Sequence, residues 1–187
     1  MRGRILISLG FALVSAILFT NHQSNGFSTR PHTLGNSHVE VVVEPTEGLT
    51  PLLDAINAAS SSIDVVMYQF EDPSVARALA DAHTRGVSVR VLLNGGYYGK
   101  KGNADNDMAY QYLVGHGVQV HWSPNRFALT HQKTVVIDHT RAFIMTGNFT
   151  PQYYASSRDF EIVDTDTSDV ADIENTFDAD WDGDKQE

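Results

Sequence analysis

The stretch Thr130-His131-Gln132-Lys133-Thr134-Val135-Val136-Ile137-Asp138, continued by His139-Thr140-Arg141-Ala142-Phe143-Ile144-Met145-Thr146-Gly147-Asn148, decides how this chain is read. Gln132 to Asp138 and Ala142 to Thr146 are two apolar runs around a polar centre, Asp138-His139-Thr140-Arg141, which predicts a β-hairpin. His131 and Lys133 stand two residues apart at its mouth, so both side chains leave the strand on one face. An imidazole titrates near neutral pH, whereas an ammonium is a fixed cation. Side by side they suit a phosphoryl group, the ring attacking phosphorus and the cation holding the charged oxygens. Taken alone, the pair reads first as two solvated polar residues at a strand entrance.

The flanking sequence supplies the rest of a sheet. Val39 to Val43 reads as a first strand ended by Pro45, and Leu49 to Ala59 has helical apolar spacing. Ile63 to Phe70 reads as a second strand. Asp72-Pro73 opens a helix that Gly86 stops, with Val75, Leu79 and Ala82 on one face. Val87 to Leu93 is apolar enough to be buried on both faces. A short helix at 106–115, a strand from Val118 to Trp122 and a strand from Phe160 to Val163 follow. Val170, Ile173, Phe177 and Trp181 form the apolar stripe of a C-terminal helix whose acidic face reads as plain solvation. The fold class is therefore α/β, a mixed β-sheet flanked by helices. The loops at 94–105, 123–131 and 147–158 lie where such sheets carry their chemistry.

The chain has 187 residues and 42% hydrophobic content, which suits one compact domain. It has no cysteine, which excludes disulfides, thiol nucleophiles and cysteine metal sites. The formal net charge is -10, but residues 159–187 carry 12 Asp/Glu against one Lys, so the acidity belongs to the C-terminal part. No block of Lys/Arg announces a nucleic-acid groove. The eight histidines show no metal-ligand spacing. Arg2 and Arg4 precede an uncharged run from Ile5 to Phe19, which predicts a signal peptide or an N-terminal membrane anchor over 1–20. Val14-Ser15-Ala16 and Ser24-Asn25-Gly26 are imperfect cleavage sites, so cleavage and retention both stay open. Residues 21–37 read as a polar linker and 38–187 as the catalytic domain. The expected location is exported, periplasmic or secreted, with a membrane tether through 5–19 as the retained form.

His131, Lys133, Asp138 and Asn148 fall at the spacing H-x-K-x4-D-x6-G-S-x-N, and over residues 38–182 the chain resembles the phospholipase D superfamily. Thr146 keeps the hydroxyl of the family's Ser. Met145 departs from the family's Gly, with Gly147 two places on. Gly147-Asn148-Phe149-Thr150 is similar to the family's Asn-aromatic-Thr continuation. Ser157-Arg158-Asp159-Phe160-Glu161 is similar to its downstream strand, where an acidic residue faces the histidine. The resemblance implies a phosphodiesterase with no metal or other cofactor, working through a phosphohistidine. It implies that Lys133 and Asn148 hold phosphate oxygens, that Glu161 bonds and orients the His131 ring, and that Asp138 and Thr146 are supporting.

That mechanism needs two histidines, and the chain has one H-x-K motif. The resemblance thus implies a homodimer in which two copies of His131 share one active site. The other reading is a monomer that borrows an unrelated ring such as His116 or His121. Substrates left open are nucleic acid, as for an endonuclease, and phospholipid, as for a phospholipase D. The alternative function is a non-catalytic phosphate- or nucleic-acid-binding protein that retains the fold. Tyr97, Tyr98, Lys100 and Lys101 form a basic-aromatic loop that reads as a stacking or headgroup surface, or as a solvated loop with packed tyrosines.

Overall fold

In the computed structural model, which describes residues 38–95 and 104–183, seven strands form one sheet in the order β1-β7-β6-β5-β2-β3-β4. The strands are β1 (Val39–Val43), β2 (Ser62–Met67), β3 (Ser88–Leu93), β4 (Gln119–Trp122), β5 (Lys133–Ile137), β6 (Arg141–Met145) and β7 (Phe160–Asp164). The helices are α1 (Thr50–Ala58), α2 (Pro73–Thr84), α3 (Ala104–Gly115), α4 (Pro151–Tyr154) and α5 (Thr167–Trp181). β2, β3 and β4 run parallel, while β5, β6, β7 and β1 are antiparallel to their neighbours. The expected mixed sheet is the observed one.

Alternation along the strands sorts the core into two layers. Ile63, Val65 and Met67 of β2 join Val89, Val91 and Leu93 of β3 and Val135 and Ile137 of β5 beneath Leu52 and Ile56 of α1, Val75 and Leu79 of α2, and Leu113 of α3. The opposite face puts Val66 and Leu92 against Phe177 of α5, and Val136 and Ala142 against Val170. The apolar stripe of α5 is core, as its spacing predicts. Its acidic side is more engaged than simple solvation. Asp178 pairs with Arg90 at 2.8 Å, Asp180 with Arg126 at 2.7 Å and Glu174 with His139 at 2.6 Å. Arg90 also grips buried Asp64 with two bonds of 2.7 Å from the neighbouring strand, so α5 is tied to the sheet by charge as well as packing.

Several boundaries move. β2 ends at Met67 instead of Phe70, because Phe70 leaves the ladder to form an isolated bridge with Phe149. Within the loop expected over 147–158, Pro151 opens the short helix α4. The 94–105 loop falls mostly outside the described residues, and with it Tyr97, Tyr98, Lys100 and Lys101. The run at 5–19 and the linker at 21–37 also lie outside them. Among the described residues no helix is long and apolar enough to cross a membrane.

The hairpin turn is closed by Thr140 N–H donating to the Ile137 carbonyl at 3.1 Å, with Asp138 and His139 at φ 53° and 57°. This is the primed turn that matches strand twist. Two non-glycine residues hold that left-handed conformation because Asp138 is anchored from outside. Its carboxylate accepts from the amides of Ser60 at 2.9 Å, Ser61 at 2.7 Å and Ser62 at 3.1 Å, and from the Ser60 and Ser61 hydroxyls. Burial works against that charge, but the three amides and the Ser61 hydroxyl outweigh it and hold the carboxyl well below the usual carboxylate range. A group depressed in this way contributes stability above its unfolded value, near 3.9, and loses it as pH falls. Asp138→Asn is therefore expected to cost about 2–3 kcal/mol at pH 7 in denaturant unfolding. The gap from wild type should shrink as pH drops below about 4.

Candidate active site

β5 begins at Lys133 beside the end of β2, the pairing being Lys133 with Met67. The same end of the sheet carries Thr146 to Asn148 after β6, Asn94 after β3 and Asp159 before β7. His131, Lys133 and Asn148 therefore reach one end of the sheet, while Asp138 is at the other end of β5. The structure separates Asp138 from the reaction centre and gives it the anchoring task described above.

Lys133 is 5% exposed. Its Nζ donates to the His131 carbonyl at 2.7 Å and lies 3.4 Å from each ring nitrogen of His131. Tyr68 backs both groups: its ring centroid is 4.6 Å from that of His131 and 5.2 Å from the ammonium. Burial lowers the affinity of His131 for a proton, and the adjacent Lys133 charge lowers it further. Burial lowers the Lys133 value as well, while Asp159 pulls it back up. The result is an exposed, predominantly neutral imidazole next to a buried cation, the protonation pattern that nucleophilic attack on a phosphodiester requires.

Asn148 is held by Gln69. Its Oδ1 accepts from the Gln69 amide at 3.3 Å and its Nδ2 donates to Gln69 Oε1 at 3.3 Å. The backbone locks the same two loops together: Phe149 N–H donates to the Gln69 carbonyl, and Glu71 and Asp72 N–H donate to the Phe149 carbonyl. Phe149 and Phe70, both fully buried, meet edge to face at 5.0 Å. On the other side, buried Asn94 accepts from Thr130 N–H at 2.9 Å, one residue before His131. Buried Asn106 braces Phe70, Tyr68 and Asn94 through three bonds. Gln69, Asn94 and Asn106 went unnoticed in the sequence, because an amide in a loop or a helix looks like ordinary surface until the partner backbone is known.

Thr146 keeps a structural hydroxyl, donating to Asp159 Oδ1 at 2.7 Å and accepting from Phe160 N–H at 3.0 Å. Gly147 is where the chain passes close to Asp159; a Cβ there would sit 3.3 Å from the Asp159 carboxyl carbon. The family's Gly at position 145 is unnecessary here, since Met145 packs into the core.

Glu161 does not make the expected bond to His131. Strand parity turns it down into the sheet beside Met145 and Val42, where it is 2% exposed and its Oε2 has no partner. The carboxylate whose charge reaches Lys133 is Asp159, two residues earlier and just outside the strand. Three of the other described histidines are occupied elsewhere. His121 stacks on Trp181 at 3.8 Å, His116 lies on Tyr112 at 4.2 Å, and His139 bonds Glu174. No group of three or more potential metal ligands occurs among the described residues.

Residues 52–181 match the model of the family described as cardiolipin synthase, PLD-like domain. The chain belongs to the phospholipase D superfamily. It is 30% identical over 135 residues to the mitochondrial cardiolipin hydrolase of Mus musculus, covering 71% of this chain and 58% of that protein. It is 28% identical over 131 residues to a phospholipase D of Rickettsia bellii, covering 70% of this chain and 61% of that protein. The chain thus spans less than two thirds of the length of these relatives. In fold it is similar to the phospholipase D family member Nuc of Salmonella typhimurium, with a TM-score of 0.68, 23% identity, and 77% of this chain and 93% of that one covered. NucT of Helicobacter pylori gives 0.66 and 18%, covering 77% of this chain and 95% of that one.

Burial pushes the Glu161 carboxyl up to about 8, with Glu44 and Glu47 adding to the rise. The folded state thus holds a proton that the unfolded chain releases near the ordinary glutamate value. That contribution is complete below about 4.3 and is lost as pH rises toward 8. In paired melting curves, Glu161→Gln should gain on wild type by roughly 5 °C or more between pH 5 and pH 8. A pH-independent difference would show that Glu161 does not titrate in this range.

Proposed function

We propose that this phospholipase D superfamily member is a phosphodiesterase that cleaves its substrate through His131. The observation that carries the reading is the convergence of a neutral, exposed imidazole, a buried ammonium and a braced amide at one end of the sheet. In the first step a ring nitrogen of His131 attacks phosphorus, forming a P–N bond as the P–O bond to the leaving alcohol breaks. The departing oxygen takes its proton from the imidazolium of a second His131. Water then attacks phosphorus, giving a proton to that second ring, and the P–N bond breaks. Lys133 and Asn148 neutralise and orient the non-bridging oxygens. Asp159, beside Thr146 and within electrostatic reach of Lys133, supplies the carboxylate at the site, a role the family resemblance implies for Glu161.

The second ring comes from another copy of the chain. Support for this is the engagement of His116, His121 and His139 in other contacts, which leaves His131 as the described histidine beside Lys133. The sequence relatives named as a cardiolipin hydrolase and a phospholipase D favour a phospholipid over nucleic acid as substrate. An exported chain, tethered or released according to the fate of residues 1–20, is the location this reading takes from the N-terminal sequence.

His131→Ala should lower turnover by about a thousandfold or more while the far-ultraviolet spectrum stays unchanged. The assay uses bis-p-nitrophenyl phosphate, phospholipid vesicles and plasmid DNA in parallel, all in excess EDTA. Near-normal turnover by the folded variant would remove His131 from the mechanism. For the shared site, the full-length wild type is mixed with increasing His131→Ala chain until subunits exchange. Activity per wild-type chain should fall as mixed dimers form, and unchanged activity after verified exchange would show that each chain works alone.

A further inference from the structure

Beside Asn148 lies a cavity of about 40 Å³ lined by Glu44, Tyr153, Tyr154, Asp159, Phe160 and Glu161, among others. Its chemistry is unusual in two respects. Glu161 is 2% exposed, and its Oε2 has no hydrogen-bond partner; the buried Oε1 of Glu44 has none either. Buried carboxyl oxygens without donors are costly, so something normally answers them.

The Gly48 N–H reaches the Glu44 carboxyl but leaves its Oε1 unanswered, and the other neighbouring groups are engaged elsewhere. Tyr154 gives its hydroxyl to Asp72 Oδ2 at 2.8 Å. Arg158 approaches Glu44 but donates to its backbone carbonyl at 2.9 Å, not to its carboxyl. Glu47 is turned away, accepting from Val43 N–H at 2.7 Å. Among the described residues no ion pair involves Glu44 or Glu161. The ionisable groups that line the cavity are all carboxyls, Glu44, Asp159 and Glu161; burial, then Glu47 and Asp159, raise the proton affinity of Glu44, and burial, then Glu44 and Glu47, raise that of Glu161. Around them stand the rings of Tyr153, Tyr154 and Phe160. Acceptor oxygens under aromatic walls form the environment that holds an ammonium group.

The geometry points to a binding site for one compact cation, of primary-ammonium size, held between Glu44 and Glu161 next to Asn148. A primary ammonium brings N–H donors to the unpartnered carboxyl oxygens, whereas a tetraalkylammonium is bulkier and brings none. Burial raises the proton affinity of both carboxyls, and the cation supplies positive charge where a proton otherwise would. The cation has two sources. It is free in solution, or it is the amine of the leaving alcohol of a substrate whose phosphate lies on Lys133 and Asn148. The second source rests on the phosphodiesterase reading above, and the first does not.

The test titrates methylammonium chloride into the full-length protein at constant ionic strength and follows the melting temperature. Tetramethylammonium chloride is the size control, and Glu161→Gln and Glu44→Gln are the variants. Methylammonium should raise the melting temperature of wild type by several degrees, with the rise absent in both variants and with tetramethylammonium. No rise, an equal rise with tetramethylammonium, or an equal rise in the variants would overturn the site. Should Glu161→Gln fail to fold, Glu44→Gln carries the comparison alone. The source is then read from turnover of glycerophosphoethanolamine against glycerophosphoglycerol. A preference for the amine of about tenfold or more, lost in Glu44→Gln, assigns the cation to the substrate. Equal turnover, with the methylammonium rise intact, assigns it to a free ion. Turnover of bis-p-nitrophenyl phosphate, which has no amine, reports on the hydrolase reading separately and should be the same in Glu44→Gln and wild type.

Discussion

The antiparallel pairing of β5 with β2 is the constraint on which the rest of the molecule depends. With Lys133 opposite Met67 and Ile137 opposite Ile63, one end of β5 meets the loop that carries Tyr68 and Gln69, and the other meets Ser60 to Ser62. A slip of one residue would send Val135 and Ile137 out of the core and turn Lys133 away from the Tyr68 ring. The register is pinned at both ends by polar chemistry that tolerates no slip. Asp138 fills a nest of serine amides below, and Lys133 Nζ lies over the Tyr68 ring above. Asp138, the supporting member of the motif, thus holds the strand from whose far end His131 and Lys133 project.

The active end is assembled by loops, but they are loops with little freedom. Asn148 and Gln69 grip each other with paired amide bonds, Phe149 and Phe70 lock the backbone beneath them, and Asn94 and Asn106 brace the approach to His131. Buried amides of this kind are expensive unless fully paired, and the pairing gives them directional control. Such bracing suits the proposed role of Lys133 and Asn148, which requires groups already in place before charge develops.

Two carboxylates near this end have different fates. Asp159 sits at the mouth of β7, partly solvated, bonded to Thr146 and felt by Lys133. Glu161, inside the strand, is carried by alternation into the low-dielectric side of the sheet and keeps its proton. Two residues of separation would ordinarily keep both on one face. Because Asp159 lies before the ladder begins, its side chain is aimed by the Thr146 contact and not by strand parity.

The sequence by itself determined a good deal. Apolar period and Gly/Pro punctuation located every strand and the long helices to within a few residues, because burial of one face leaves its repeat in the chain. The spacing of His131, Lys133, Asp138 and Asn148 named the family, because a hairpin of set length carries them at set intervals. Tertiary structure alone decided the rest. Where β2 stops depends on Phe149, some 80 residues away, pulling Phe70 out of the ladder. The acidic residue beside the site depends on where β7 starts to pair, which no local pattern around Arg158-Asp159-Phe160-Glu161 reveals. The ion pairs of α5 need Arg90 and Arg126 to arrive from other elements, so a helix face that reads as solvated turns out to be tied down. In each case the deciding group is distant in sequence, and a one-dimensional pattern records which residues seek burial but not which partners will meet them there.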